Sequence, residues 1–351
     1  MKQHKIFTWL VGAVICSMLL SAGCAKPAAE ITKPKVEPEV KVLPAKPIKQ
    51  EVAKPQPQTF TLALKFTPQE STTCRVITEA EKGVKFEGTV PQDATFKGGR
   101  TSNRTELTFD QQIQKVDEKG NATAKITIKK LKYLTKIKDN IELDFDSERP
   151  ADSNSPLAKL IGQSYTIETS PSSEVLKVID VNEARAAIKG DSAADKVARA
   201  ILDPNIIKDR HTITALPSPD KNQRHIADKW SKTGNFSFGL MGSKSYERIY
   251  TLKEVKNVND RRIAVVDMNA APTSPTEEEQ ASQAVSKKFE NTEIYTGRLT
   301  LDTTAGKVEK YSEKLQLEWV TAEPAAEQKA DKEPAVLIMS VNVFHSFEKI
   351  D

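Results

Sequence analysis

Apolar and polar residues alternate with a period of two along most of the chain from Thr59 onward. This alternation predicts antiparallel β-strands with one buried face. The predicted elements are a strand over Thr59–Phe66, hairpins over 105–128 and 164–178, and two C-terminal strands over 311–319 and 337–347. Thr321–Pro334 is of low complexity and predicts a loop between the last two strands.

Helix signals are few and lie mainly between the two halves of the chain. Ser192 followed three residues later by Asp195 has the pattern of a helix N-cap, and Asp203-Pro204 ends this helix or begins another turn. Ser274-Pro275-Thr276-Glu277 predicts a second helix start, with Ser274 as its N-cap. Helical residues are therefore expected over 181–215, with one further helix near residue 275.

Two stretches of the chain resemble each other in pattern. The apolar positions of 113–126 align without gaps with those of 255–268, and Tyr165–Thr169 aligns with Leu299–Thr303. The order is the same in both halves, although hairpins with polar turns also look alike by chance. The predicted fold is α+β and mainly antiparallel β, with two β-hairpin repeats and a short helical segment between them. The repeats form either a sandwich-like pair or one curved sheet.

The N-terminus has the pattern of a secretory signal peptide. Met1–Lys5 carries two lysines, Ile6–Leu20 is apolar, and Ala22-Gly23-Cys24 follows. The apolar run is shorter than the roughly 20 residues of a membrane-spanning helix. An ordinary signal peptide with an incidental cysteine and an uncleaved anchor are the alternatives.

The segment ending at Cys24 resembles the lipobox of bacterial lipoproteins. That resemblance implies that Cys24 receives a thioether-linked diacylglycerol and a further acyl chain such as palmitate, and becomes the mature N-terminus. Two or more acyl chains hold a protein stably on a membrane, whereas one holds it reversibly. By the same resemblance, Ala25 after the cysteine favours the outer membrane, facing the periplasm. Cys24 is thus the expected lipidation site and the membrane the expected partner.

Residues 26–58 have the composition of a tether. Lys26–Gln58 contains seven prolines, seven lysines and four glutamates, with no helical or strand period. Such segments are extended and disordered, so a spacer is expected, with cell-wall binding as the alternative. The predicted organisation is signal peptide 1–23, lipidated tether 24–58, first β repeat 59–180, helical connector 181–229 and second β repeat 230–351.

The folded part resembles an uncharacterised family of bacterial envelope lipoproteins, known only as a domain of unknown function. The resemblance covers roughly residues 60–320 and is carried by Gly120-Asn121-Ala122-Thr123, 160–165, Ala227-Asp228-Lys229-Trp230 and Leu301-Asp302 with Gly306. Ala227 stands where such families often have glycine. The resemblance implies the fold class and the location, and no activity.

Charge and chemistry-bearing residues narrow the function further. The formal charge is +4, and +2 without Lys2 and Lys5, so no nucleic-acid partner is expected. The chain has no G-x-S-x-G and no phosphate-binding glycine loop, and Lys232-Thr233-Gly234 is interpreted as a turn.

The histidines and cysteines have no metal-ligand or nucleophile spacing. His211 and His225 lie in irregular polar sequence. His345 has the apolar parity of the last strand and is expected to be hydrogen-bonded. Cys74 is the one cysteine of the mature chain besides Cys24, and its parity predicts burial. No catalytic residue, cofactor or metal site is therefore expected.

Two further features have alternative interpretations. Six lysines lie within residues 125–138. They are interpreted as a solvated face, as protection of a sheet edge, or as a contact for lipopolysaccharide or cell-wall polymer. Trp230 is interpreted as an apolar anchor between the repeats, or else as an exposed ring that stacks on a wall sugar.

These observations predict a lipid-anchored cell-envelope protein that is a non-enzymatic binding or structural module. The alternative function is a carrier or sensor of a hydrophobic ligand in a curved-sheet cavity, which requires an apolar pocket of several hundred Å³. An enzyme would require a cleft with a perturbed titratable group.

Overall fold

A computed structural model describes residues 58–88, 98–276, 279, 289–322 and 335–350. Most of the described chain is β-strand. In chain order the strands are β1 Phe60–Thr61, β2 Ser71–Glu87, β3 Gly99–Val116, β4 Ala122–Ile137, β5 Asn140–Asp146, β6 Ser164–Thr169, β7 Val175–Ile179, β8 Gln223–Arg224, β9 Lys229–Ser237, β10 Ser243–Val258, β11 Arg261–Pro272, β12 Glu290–Asp302, β13 Lys307–Ala322 and β14 Val336–Lys349.

Three α-helices lie together between the two halves of the chain. They are α1 Val181–Ala186, α2 Ala193–Ile201 and α3 Pro204–His211. The predicted start of α2 is confirmed, because the Ser192 side chain accepts from the Asp195 N–H while Asp195 accepts from the Ser192 N–H. Pro204 begins α3, where the Asp203 side chain caps the Asn205 N–H.

One large sheet contains twelve of the strands, and every neighbouring pair is antiparallel. Its order is β7-β6-β4-β3-β2-β14-β13-β12-β11-β10-β9, with β5 also paired to β4. The predicted mainly antiparallel fold is confirmed, and the halves form one curved sheet rather than a sandwich. The curvature is strong around β9–β13, since Phe238, just beyond β9, packs against Trp319 of β13 at 5.5 Å between ring centroids.

The two halves of the sheet have the same strand order. Along the sheet, β7-β6-β4-β3-β2 is followed by β14 and then by β13-β12-β11-β10-β9, so each half is a five-stranded unit in the predicted order of hairpins. The gapless alignment differs in register, because Ile113 pairs with Ala124 whereas Val255 pairs with Ala264. The first hairpin has a longer turn, over 117–121, and a bulge after Ile113, which account for this difference.

The connector between the repeats covers the inner, apolar face of the sheet. Ile207, Ile213 and Leu216 are buried there. The connector bridges the two edge strands: Ile213 N–H donates to Ser173 O beside β7, and Trp230 of β9 donates from Nε1 to Ala215 O at 3.1 Å. Only part of 181–229 is helical, because residues 212–217 form a non-helical segment that includes a turn.

The predicted strand over Thr59–Phe66 is mostly wrong. Only Phe60–Thr61 pairs as a strand, with β8. The next residues donate to three separate segments, from Leu62 N to Asn222 O, Leu64 N to Pro171 O and Lys65 N to Gly306 O. Because these acceptors belong to different turns, no ladder forms, and the segment is a strap (residues 60–70) across one end of the sheet.

Several predicted elements lie wholly or mainly outside the described residues. These are the signal peptide, Cys24, the tether and most of the 321–334 loop. At the predicted helix near residue 275, Thr276 rather than Ser274 exchanges capping bonds with Glu279. Within the described residues, no helix is long and apolar enough to cross a membrane.

Candidate functional site

The inner face of the second repeat holds a group of polar side chains in an otherwise apolar interior. We call it the inner polar cluster, and its members are Thr214, Arg248, Tyr250, Tyr295, Tyr311 and Glu313. All six are buried. The strands place them together because side chains two residues apart on a strand share a face, and the connector supplies Thr214 from above.

Arg248 is the centre of the cluster and is 1% exposed. It shares a face of β10 with Tyr246, Tyr250 and Leu252, so the strand directs its guanidinium inward. A Cβ at Gly234 on β9 would lie 2.7 Å from Arg248 Nη2. Glycine on the neighbouring strand therefore provides the space that the guanidinium occupies.

Glu313 provides the counter-charge. Its Oε2 lies 3.6 Å from Arg248 Nη1 and accepts hydrogen bonds from the hydroxyls of Tyr295, at 2.8 Å, and Tyr311, at 3.0 Å. A buried carboxylate needs such donors, because taking its charge out of water is otherwise unfavourable. The two tyrosine hydroxyls thus supply hydrogen bonds to the buried carboxylate of Glu313.

Thr214 joins the cluster to the connector. Its Oγ1 lies 3.2 Å from Arg248 Nη1, 2.9 Å from the Tyr250 hydroxyl and 2.9 Å from the Tyr311 hydroxyl. Arg248 and Tyr250 donate to it. Tyr311 already donates to Glu313, so the Thr214 hydroxyl donates to Tyr311. The chain of bonds runs from the connector to strands β10 and β13 and fixes residues 212–217 on the inner face.

No group of the inner polar cluster with a resolved pKa shift titrates near neutral pH. Burial raises the pKa of Tyr250 to about 12, and it raises the pKa values of Tyr295 and Tyr311 well above 10. Burial opposes the charge of Arg248, but Tyr250, Tyr295 and Glu313 outweigh it and raise its pKa above the ordinary value. The arrangement holds one buried ion pair in place.

Lys232 lies beside the cluster on the edge strand β9, directly opposite Arg248 in the strand register. The prediction that Lys232-Thr233-Gly234 forms a turn is therefore wrong, because all three residues lie within β9. Lys232 is half-buried on the inner face. Burial, together with the charge of Arg248, lowers the pKa of Lys232 to about 8, while Glu174 opposes this shift.

The histidines are not brought together. His211 ends α3, where it is buried and its Nε2 is 2.7 Å from the Tyr165 hydroxyl, contrary to the expected irregular polar setting. His225 is near the surface, with Nδ1 3.4 Å from Asp228. His345 lies on the inner face as its parity predicts, and its Nε2 has no hydrogen-bond partner among the described residues. The described residues contain no cluster of three or more metal-binding side chains.

Trp230 and Cys74 are both buried, as their positions in the pattern predict. The Trp230 ring stacks on Tyr250 at 5.9 Å, Arg224 lies 5.4 Å from its centroid, and its Nε1 bonds the connector. These contacts agree with an anchor between the connector and the second repeat.

Five of the six lysines over 125–138 lie on an inner strand of the sheet, because β4 pairs with β3 on one side and with β5 and β6 on the other, and Lys138 follows in the turn. Protection of an edge is therefore not their role. Lys129 is paired with Asp110, Lys130 with Glu148 and Lys132 with Asp146. Acidic partners thus balance half of this basic surface.

Two cavities among the described residues differ in size and lining. A depression of about 350 Å³ on the outer face of β11–β13 is lined by polar side chains that include Asp267, Thr296, Arg298 and Lys314. A cleft of about 60 Å³ lies under the strap beside Phe66 and Phe347. The inner face, where an apolar ligand would lie, is instead occupied by the connector.

Arg248, Glu313 and Lys232 were not singled out from the sequence as inner-face residues, although a signal exists. Arg248 has the parity of Tyr246 and Tyr250, Glu313 that of Tyr311 and Leu315, and Lys232 that of Trp230 and Phe236. A charge on the apolar parity of a strand indicates a buried ion pair or a site.

Comparisons with known proteins give no family for this chain. No protein-family model and no curated protein matches it. Eleven chains of known structure match. One of them, from a structure on lipid–protein interactions in lipovitellin, has a TM-score of 0.38 and 10% identity, covering 80% of this chain and 25% of the other. This chain thus spans about a quarter of that protein, and at this score the likeness does not extend to a ligand or an activity.

Proposed function

We propose that the chain is a lipid-anchored, non-enzymatic binding module of the bacterial cell envelope. The observation that carries the proposal is the inner polar cluster, where charged and hydroxyl groups are bonded to one another and to the connector. These groups hold the fold together. The binding surfaces are then the faces and rim of the curved sheet, which β14 joins into one continuous surface.

The location follows from the sequence of the N-terminus. The apolar run ending in Ala22-Gly23-Cys24 supports lipid attachment at Cys24, and the proline-rich 26–58 segment supports a spacer between membrane and sheet.

Metabolic labelling with a palmitate analogue tests the anchor. The parent chain should carry the label and sediment with the outer membrane, whereas Cys24→Ser should carry none. A mature N-terminus other than residue 24, found by mass spectrometry, would refute the assignment.

A second function, carriage of a hydrophobic ligand, is favoured by one observation. The sheet is a single open curve, and its two edge strands are bridged by a non-helical segment of the connector, residues 212–217. Val84, Leu337 and Val343 are only partly buried on the inner face. Displacement of 212–217 would join them to the apolar interior and create the cavity that such a ligand needs.

An uncharged hydrophobic probe tests this second function directly. Oleyl alcohol is suitable because it has a long hydrocarbon chain without charge. The probe is titrated into the full mature chain bearing Cys24→Ser, with hydrogen exchange followed at 212–217. Carriage predicts saturable binding and faster exchange at these residues. Unchanged exchange with no saturable binding would leave the binding-module proposal and exclude the carrier.

A further inference from the structure

Two cations lie side by side on the inner face of the second repeat. Lys232 and Arg248 are directly opposite each other on β9 and β10. Side chains at such positions lie about 5 Å apart at their Cβ atoms, and like charges there repel. Their proximity therefore calls for negative charge close to both.

The protein supplies less negative charge than this pair requires. Glu313 approaches Arg248 Nη1 at 3.6 Å, but its Oε2 already accepts from Tyr295 and Tyr311. Glu174, in the turn between β6 and β7, is exposed and is the carboxylate that acts on Lys232 across the gap between the edge strands. Within the described residues, Lys232 forms no ion pair.

Arg248 also has donors to spare. Among the described residues, its guanidinium donates one hydrogen bond, from Nη1 to Thr214, and its buried Nε has no partner. A buried donor without a partner is unfavourable because it has lost its hydrogen bonds to water and gained none in the protein. Guanidinium groups bind carboxylates and phosphates through two parallel N–H bonds, so the unused donors match an oxyanion.

The position of Lys232 on the edge strand gives an anionic ligand a route to Arg248. It is half-buried on the edge strand, next to the gap that residues 212–217 bridge, whereas Arg248 lies one strand deeper. An anionic group entering at the edge would meet Lys232 first and Arg248 next. An attached apolar chain would extend over the inner face, in the place that the connector fills.

We propose that Lys232 and Arg248 form a binding site for the acidic headgroup of an amphipathic ligand, a carboxylate or a phosphate on an acyl chain. The proposal rests on the carrier function above and names its ligand class. Thr214 holds Arg248 in the absence of ligand and gives up that bond when the headgroup binds.

Three probes test the proposal on the full mature chain bearing Cys24→Ser, at pH 7. They are oleate, oleyl alcohol and inorganic phosphate, which separate the headgroup from the chain. We expect oleate to bind at least tenfold more tightly than oleyl alcohol. Equal affinities would overturn the headgroup site and leave the carrier intact. Binding of phosphate alone would support the anion site and overturn the carrier, and no binding of any probe would overturn both.

Substitutions then assign the effect to residues. Lys232→Gln should lower the affinity for oleate five- to tenfold and leave that for oleyl alcohol unchanged, whereas Lys229→Gln, on the exposed face of the same strand, should change neither. Arg248→Gln alone leaves Glu313 buried without a counter-charge, so the informative variant is Arg248→Gln with Glu313→Gln. A preference for oleate that survives both Lys232→Gln and this double substitution would refute the proposal.

Discussion

The two repeats build the same strand order with different interiors. The first repeat is lined by Leu107, Phe109, Ile126 and other aliphatic or aromatic side chains. At corresponding depth the second repeat has the inner polar cluster. An apolar interior gains stability from burial alone, whereas a buried ion pair is stable only while every member is hydrogen-bonded. The difference concentrates the buried ion pair in the second repeat, which is also where the proposed headgroup site lies.

Truncation in each interior should give large losses of stability for different reasons. Glu313→Ala leaves the Arg248 charge buried without a partner, and we expect a loss of about 3–5 kcal/mol in the free energy of unfolding. Replacing Arg248 and Glu313 together by Met and Leu should recover most of that loss, because the charges are removed as a pair. Urea denaturation of the single and double variants measures both. A double variant as unstable as Glu313→Ala would contradict the ion-pair explanation.

In the first repeat, Phe109→Ala should also destabilise by about 3–5 kcal/mol, through loss of buried area and the cavity left behind. No second substitution nearby should restore the loss, in contrast to the Arg248 and Glu313 pair. Phe109→Leu is the matched control and should lose clearly less. Equal denaturation midpoints for Phe109→Ala and the parent would show that the interior of the first repeat is not tightly packed.

The Trp230 anchor joins the connector to the second repeat. Truncating it should therefore cost stability at the lower end of the range expected for the two interiors. Trp230→Ala should destabilise by roughly 3 kcal/mol. Trp230→Phe keeps an aromatic ring on Tyr250 but loses the bond to Ala215 O, and should lose about 1 kcal/mol. A melting curve of Trp230→Ala that overlays the parent curve, with weaker binding to isolated cell wall, would support the sugar-stacking alternative instead.

The smallest expected effect is the part of the pH dependence of stability that Lys232 in the second repeat contributes. The pKa of Lys232 is about 8 in the folded chain and about 10.5 when unfolded, so between these values the unfolded chain binds more protons. The contribution of Lys232 to the free energy of unfolding therefore rises with pH across this window, and its partial exposure keeps the rise well below the roughly 3 kcal/mol that the full shift would give. The rise should be missing in Lys232→Met, and an identical pH profile for both chains would contradict the lowered pKa.

The sequence predicts local elements well and their partners poorly. The hairpins at 117–121 and 170–174 follow from alternation and turn residues, and the α2 start follows from Ser192 and Asp195. The pairing of β2 with β14 has no local signal, since it joins residues such as Arg75 and Glu348 at opposite ends of the folded part. The strap has no local signal for the same reason. Its apolar alternation is real, but the carbonyl groups that accept from its N–H groups belong to separate segments.

The site was harder to find because it depends on three distant segments. Parity marks Arg248 and Glu313 as inward charges, but neither their ion pair nor the role of Thr214 follows from spacing. The sequence gives no signal for the role of Gly234 either, since that role depends on the Arg248 guanidinium lying against it. The interpretation of Lys232-Thr233-Gly234 as a turn is wrong because the glycine lies inside β9 and continues the strand.

The strand β14 lies in the middle of the sheet although it follows all the others along the chain, and this has a consequence for synthesis. Until β14 emerges, the 17 residues of β2 present an unpaired edge, and the two halves can meet only through the connector. Pairing across such a separation is slow, and an open edge invites pairing with other chains. The nascent polypeptide is therefore prone to aggregate until β14 has been made, and we expect chaperones that bind exposed strand edges to raise its yield of folded protein.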